Sequence, residues 1–395
     1  MLLLVGSMGA FGPLCIDTYL PALPNISNDL HASASSVQLS LTACLIGLGV
    51  GQLLIGPLSD RHGRRLPLCI GLSLFVVAST ACAFAPSITA LIALRLLQGL
   101  GGAAGIVISR AIVRDLYSGA AAARFFSLLM LVTGAGPILA PQFGALILGF
   151  APWRGIFVGL SATGAVLLMI AALRLPETLP VAVRNGSGLR DTLRTMRGVA
   201  THRSFLANAL AGGFGFGVLF AYIAGSSFVV QNVYGLSAQA FSVVFAVNAV
   251  GLITASQVNG RLVGRLGSTR LMTAGLISMA FGGICVLIVV STGLFGIAGL
   301  IAAMLLVMSS NGFIAPNATA LAMNDFPESA GSASALLGLL QFSIGAAVAP
   351  LVGLGGANTG VPMGIVMATM GLAALSLRLA LRDHSTSPRP TPAAS

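Results

Sequence analysis

The stretch Ile16-Asp17-Thr18-Tyr19-Leu20-Pro21-Ala22-Leu23-Pro24 places a carboxylate inside the first apolar run of a 395-residue chain that has only nine acidic residues. A charge at such a position is costly in lipid, so it is kept where it pairs, sits by water or carries a proton. The other acids, Asp29, Asp60, Asp115, Glu177, Asp191, Asp325, Glu328 and Asp383, fall in predicted loops or at helix ends, as do all four histidines, His31, His62, His202 and His384. Reversible protonation within the apolar interior is therefore a chemistry left to Asp17; the plainer reading is a cap or anchor at the outer interface. Arg95 also lies within an apolar run, at a depth that should match Asp17, and predicts an Asp17–Arg95 charge pair, direct or through Gln98 and water. A purely structural pair would satisfy the same costs. Cys15, Cys44, Cys69, Cys82 and Cys285 form no CxxC pair and have no histidine nearby, so they read as small packing residues rather than disulfides or metal ligands. No cluster of histidines or carboxylates shares one depth, so nothing indicates a membrane enzyme.

The elements that must hold these residues are transmembrane helices. Hydrophobic residues make up 56% of the chain and charged ones 7%, against about a quarter charged in soluble domains. Two-residue alternation is absent, which argues against a barrel. Twelve apolar runs approach the roughly 20 residues a spanning helix needs: 2–24, 37–58, 66–85, 88–113, 124–149, 153–175, 205–231, 239–262, 269–290, 295–322, 329–354 and 360–381. The first begins at Met1 without a basic leader region and reads as a retained span. The longest connection divides the chain into a six-helix bundle at 1–180, a cytoplasmic linker at 181–204, a second six-helix bundle at 205–385 and a disordered cytoplasmic tail at 386–395. The expected fold is an all-α membrane protein of two pseudo-symmetric six-helix halves.

Net charge is +11, which in a soluble domain would point to nucleic acid. With both termini cytoplasmic, however, every arginine except Arg95 and Arg154 falls on the inner side, so the charge follows the positive-inside rule and nucleic acid is not an expected partner. The halves also echo each other. Gly56-x-Leu58-x-x-Arg61-x-Gly63 follows the second span and Gly260-x-Leu262-x-x-Arg265-x-Gly267 the eighth, at an offset of 204. Duplicated six-helix halves are a common plan of secondary transporters.

Gly56-Pro57-Leu58-Ser59-Asp60-Arg61-His62-Gly63-Arg64-Arg65 closely resembles the loop signature between the second and third helices of the major facilitator superfamily. Leu94 to Gly102 resembles the fourth-helix motif, and Gly134-Ala135-Gly136-Pro137 the fifth-helix motif of its twelve-helix drug/proton antiporters. With the Asp17 stretch, Arg110 to Tyr117, Glu177 to Pro180 and Asn324 to Leu336, these resemble the bicyclomycin- and chloramphenicol-resistance branch, Bcr/CflA. The fifth-helix pattern departs at Ala140-Pro141, where the family usually has Gly-Gly. The resemblance implies that Arg95 takes part in proton coupling and that Gly134, Gly136 and Pro137 seal the closed cavity. It further implies that Asp60 docks on the N-terminus of the eleventh helix near Ser329 to Gly331. Arg64 and Arg61 could pair with Asp115, and together these contacts would latch the halves on the cytoplasmic side; for the arginines the alternative is topology alone.

Aromatic and amide residues within the spans, Tyr19, Gln38, Phe216, Phe220, Tyr222, Asn248, Asn311 and Gln341, are candidates to line a substrate cavity, although each taken singly could equally be packing. Gly99 to Gly105 imitates a dinucleotide fingerprint but follows no strand, so close helix packing explains it better. No Walker motif is present, so ATP is not the expected energy source. The expected function is multidrug efflux by drug/proton antiport, driven by proton-motive force without a cofactor. Its partners would be protons, a small-molecule drug and the lipid bilayer, and the chain would act as a monomer in the bacterial cytoplasmic (inner) membrane. A proton-coupled transporter of a sugar or amino-acid derivative in the same fold remains the alternative.

Overall fold

The computed structural model describes residues 2–9, 11–116, 135–180, 184, 189–326 and 330–382. Among these, every regular element is helical. Nine helices among the described residues are long and apolar enough to cross a membrane, and Ala135–Leu148 and Leu336–Val352 are shorter apolar segments. The chain is thus a multi-pass membrane protein.

In chain order the helices are α1 (Leu2–Gly9), α2 (Phe11–Asp17), α3 (Leu23–Asp29), α4 (Ala34–His62), α5 (Arg65–Ala83), α6 (Ile88–Leu116), α7 (Ala135–Leu148), α8 (Arg154–Arg174), α9 (Leu189–Ala200), α10 (Arg203–Phe228), α11 (Ala238–Leu266), α12 (Ser268–Thr292), α13 (Gly296–Met323), α14 (Ala330–Val352) and α15 (Val361–Arg382). One group of helices packs α6 against α1, α2, α4 and α5, with α8 on α5; a second packs α10 against α13, α14 and α15, with α12 and α11 on α13. The groups meet chiefly where α4 lies along α14, and where the chain near residues 20–29 touches α10 and α11.

The first predicted span, 2–24, differs in two ways. It continues to Asp29, and it is broken: α2 ends at Asp17, and a 3-10 turn at Leu20–Ala22 precedes α3. Proline explains the break. A proline ring clashes with the carbonyl four residues back and offers it no N–H, and four residues before Pro21 stands Asp17. The predicted connection 176–204 also contains a helix that the apolar pattern does not show, α9, whose Met196 and Val199 pack on Phe205, Ala209, Leu336 and Leu337.

The sequence echo is a structural repeat. α4 and α11 are both 29 residues long. Ser33 caps α4 by accepting the N–H of Ser36, and Ser237 caps α11 by accepting that of Ala240, again 204 residues on. Both helices stop at a left-handed glycine, Gly63 at φ 87° and Gly267 at φ 78°. The Gly99–Gly105 stretch packs as expected: a Cβ on Gly99 would lie 2.1 Å from the carbonyl oxygen of Cys44 on α4. The cysteines are free, and Cys15, Cys44 and Cys82 are buried. The tail at 386–395 lies outside the described residues.

Candidate functional site

Arg95 on α6 is fully buried. Its Nη1 donates to the carbonyl of Cys15 at 2.9 Å and to Gln98 Oε1 at 2.5 Å, while Gln98 Nε2 donates to Ser79 Oγ at 2.7 Å. The guanidinium lies 4.7 Å from the centre of the Tyr19 ring and 5.9 Å from that of Phe157. Its Nε and Nη2 have no hydrogen-bond partner among the described residues. Thus the association of Arg95 with Gln98 is present, but the predicted Asp17–Arg95 ion pair is not. The reason is helical periodicity: Arg95 meets Cys15 and Tyr19, and Asp17 lies two residues from each, on the opposite side of the chain.

Asp17 faces the second group of helices. It is 5% exposed and forms no ion pair or hydrogen bond with any described residue. It lines a cavity of about 220 Å³ with Pro137 of α7, Leu219 and Ile223 of α10, Phe245, Ala249, Leu252 and Ile253 of α11 and Met308 of α13. Among the described residues, the carboxylate is the one charged group in an otherwise apolar wall. After the break, helical structure resumes and runs on to Asp29, so Asp17 stands twelve residues before that end. Its burial in a cavity wall favours the proton-carrying reading over the interface anchor. The anchor is Asp29 instead: Trp153 Nε1 donates to it at 3.0 Å and Arg154 pairs with it. The hydrogen bonds from Arg154 and Trp153 hold the Asp29 carboxyl below its usual range.

Most of the predicted cavity residues lie elsewhere. Tyr19 is buried within the first group, its hydroxyl 2.5 Å from Ser40 Oγ. Gln38 Nε2 donates across the groups to the carbonyl of Ala224 at 3.0 Å. Phe216 and Phe220 pack together at 4.8 Å, with Phe342 of α14 5.5 Å from Phe216. Asn311 ties α13 to the carbonyl of Gly215 at 3.1 Å, and Gln341 is half-buried beside Gly212. Tyr222 and Asn248 come closest to the expectation: Asn248 Nδ2 donates to the Tyr222 hydroxyl at 3.0 Å, and that ring stacks on Phe245 of the cavity wall. The lining that sequence reasoning missed is mostly aliphatic, with Phe245 and Met308 added, and single apolar residues carry no signal separating a cavity wall from a lipid-facing surface. Of the fifth-helix motif, Pro137 lines the cavity and Gly136 is buried; Gly134 lies outside the described residues.

At the arginine-rich end, Arg64 Nε donates to Asp115 Oδ2 at 2.8 Å and its Nη2 to Asp115 Oδ1 at 3.2 Å. Its Nη1 reaches Asp60 Oδ1 at 2.5 Å and Ser59 Oγ at 2.9 Å. Burial works against the Arg64 charge, but the bonds to Asp115 and Asp60 hold its pKa above the ordinary value. Arg61 is exposed and takes no part, so Asp115 has Arg64 alone of the two predicted partners. These ion pairs brace α4, α5 and α6, all within one group, and join no helix of the other. Asp60 makes no hydrogen bond or ion pair with a described residue of α14, and its side chain is 41% exposed; Ser329 lies outside the described residues. Glu177 completes the brace. It accepts the backbone N–H groups of Arg64 at 2.8 Å, Leu179 at 3.0 Å and Arg65 at 3.3 Å, with Arg184 3.8 Å away. Burial alone would raise its pKa, yet these donors and the Arg184 charge hold it below the usual carboxylate range. Gly56 stands on α4 one turn before Asp60, where its carbonyl accepts from Ser59 Oγ at 2.9 Å. Gly63 must be glycine: beyond its positive φ, a Cβ would lie 2.3 Å from Glu177 Oε2.

The chain matches the family model described as Major Facilitator Superfamily over residues 5–350. It is 44% identical to an uncharacterized MFS-type transporter of Bacillus subtilis (strain 168), covering 92% of this chain and 90% of that protein. It is 30% identical to a bicyclomycin resistance protein homolog of Haemophilus influenzae (94% and 92% covered) and 32% identical to a chloramphenicol resistance protein of Pseudomonas aeruginosa (95% and 89% covered). Among solved structures, a bacterial homolog of the human lysosomal transporter Spinster, in an inward-facing and unoccupied conformation, superposes with TM-score 0.78 at 16% identity, covering 99% of this chain and 98% of that one.

Proposed function

We propose that this chain, which belongs to the Major Facilitator Superfamily and to its bicyclomycin- and chloramphenicol-resistance branch, exports a hydrophobic or amphiphilic compound in exchange for an inward proton. The observation that carries the proposal is Asp17: a buried carboxylate without a partner among the described residues, in the wall of a cavity whose other described lining is apolar and comes largely from the other half. A lone carboxylate in such a wall is stable when neutral. Entry of cargo or water changes its surroundings and hence its hold on the proton, which is the coupling an antiporter needs. The apolar lining supports a hydrophobic cargo over a sugar, which would need several polar partners.

In this reading the halves 1–180 and 205–385 rock about the cavity, the arginine-rich end faces the cytoplasm, and the bacterial inner membrane is the site of action. Each proton moved inward contributes about 2.3 kcal/mol per 100 mV of membrane potential, without ATP or a cofactor. Arg95 acts through its neighbours rather than by pairing with Asp17: its bond to the Cys15 carbonyl fixes the helix that ends at the carboxylate.

The test is a susceptibility panel in a pump-deficient bacterial host, with chloramphenicol and bicyclomycin included, comparing empty vector, the wild-type gene and Asp17→Asn. Wild type should raise resistance to at least one compound, and Asp17→Asn should abolish it at equal membrane abundance. Undiminished resistance with Asp17→Asn would refute the coupling role. Resistance to no compound beyond empty vector would count against drug export.

A further inference from the structure

Among the described residues, the hydrogen bonds that join the two halves all lie at the arginine-poor end, and all are of one kind: an uncharged side chain donating to a backbone carbonyl. From α4, Ser35 Oγ donates to Pro350 at 3.0 Å, Gln38 Nε2 to Ala224 at 3.0 Å and Thr42 Oγ1 to Ala346 at 2.9 Å. From α11, Gln239 Nε2 donates to Ala145 at 3.3 Å and Ser242 Oγ to Pro141 at 2.9 Å. The 204-residue repeat maps Ser35 onto Gln239 and Gln38 onto Ser242. The same two positions at the start of the duplicated helix therefore tie each half to the other, with serine and glutamine exchanged. A third tie closes on the broken first helix: Ser227 Oγ donates to Leu20 at 2.7 Å, and Gln231 Nε2 to Pro21 at 3.1 Å and to Ser227 Oγ at 2.8 Å.

These carbonyls are available for physical reasons. Ala145 and Pro350 fall in the last four residues of their helices, where no intrahelical donor remains; Pro350 accepts the N–H of Gly353 just beyond its helix at 3.3 Å and keeps a second lone pair for Ser35. Leu20 accepts the N–H of Leu23 but has no donor four residues on, because Pro24 has no N–H, and its second lone pair is open to Ser227. The chemistry suits repeated opening. A neutral side chain bonded to a carbonyl exchanges its partner for water at small net cost, whereas a dry ion pair resists separation. Location completes the case, since Leu20 and Pro21 stand three and four residues beyond Asp17. Beside them α7 packs directly on the break, and a Cβ on Gly144 would lie 2.0 Å from the Thr18 carbonyl oxygen.

We propose that Ser35, Gln38, Ser227, Gln231, Gln239 and Ser242 are the positioning residues of a gate that closes the arginine-poor side of the Asp17 cavity. The inference rests on the alternating-access reading above. Its test uses the full chain in intact cells carrying a reporter, Ala249→Cys, in the cavity wall. A membrane-impermeant maleimide applied outside reads exposure toward that side, with the parent chain giving the background of the five native cysteines. The reporter should label slowly alone and about five-fold faster with Gln38→Leu or with Gln231→Leu, the ratio expected for one lost neutral bond. Combining Gln38→Leu with Ser242→Ala should multiply the increase. Thr163→Ala and Thr369→Ala, whose hydroxyls bond within their own helices, should leave the rate unchanged. Should Gln38→Leu fail to reach the membrane, Ser227→Ala and Gln239→Leu read the same gate from the other half. Labelling unmoved by the gate variants, or raised equally by the controls, overturns the proposal. The readout needs neither cargo nor a proton gradient, so it can fail while antiport stands, and resistance that survives Asp17→Asn would refute antiport while leaving the gate intact.

Discussion

At the level of single residues, Asp17 and Arg95, both buried in the membrane-spanning part of this chain, solve the cost of burial differently. Arg95 is bound to a carbonyl and an amide and lies over two aromatic rings, which suits a planar guanidinium and not an ammonium. Arg95→Lys should therefore lower the initial rate of proton-driven drug uptake into everted vesicles by at least about ten-fold, with normal membrane abundance. Asp17 has no such partners among the described residues, and its exposure to a cavity rather than to Arg95 follows from two residues of helical rotation. A second residue-scale prediction concerns Glu177, whose pKa in the folded protein lies below its unfolded value of about 4.3. The stability it contributes is complete above that unfolded value and is lost as pH falls through the lower folded one. The difference in melting temperature between wild type and Glu177→Gln should thus be constant above about pH 5 and shrink below about pH 4.

At the scale of elements, α4 and α11 are copies in length, cap and terminating glycine, yet they have diverged in chemistry. The position of Asp60 is Gly264 in the second copy and that of Arg64 is Ser268, so the charged brace exists once. Gly63 and Gly267 make this measurable. Alanine at either meets a positive-φ, extended backbone that is essentially reserved for glycine, costing roughly 1–3 kcal/mol. At Gly63 its Cβ would also strike the Glu177 carboxylate, whereas at Gly267 nothing lies within 4 Å. Thermal unfolding in detergent should show Gly63→Ala to be clearly less stable than Gly267→Ala. Equal losses would mean that the Glu177 brace carries no weight.

Across the whole molecule, the features legible in the sequence were those imposed by the solvent or by local backbone chemistry. The bilayer requires apolar runs of a set length, so the helices and the repeat could be read directly, and a carboxylate scarce among apolar residues marked Asp17. The break after Asp17 was signalled by Pro21 and Pro24, but the span boundary at 24 obscured it. Pairings between helices were less legible, because depth along the membrane does not fix rotation about a helix axis. Asp17–Arg95 failed on that account, while Arg64–Asp115 succeeded because bulky charges at a loop and a helix end have few other places to go. The amides read as cavity lining proved largely to be ties between helices, and Gln38 joins the two halves.

The central claim is that Asp17 exchanges its proton as cargo arrives. The most direct measurement is proton release by the purified protein in weakly buffered detergent solution, on addition of a compound to which it confers resistance. Wild type should release protons in proportion to the compound bound, and Asp17→Asn should bind without release. Equal release from both proteins would contradict the account.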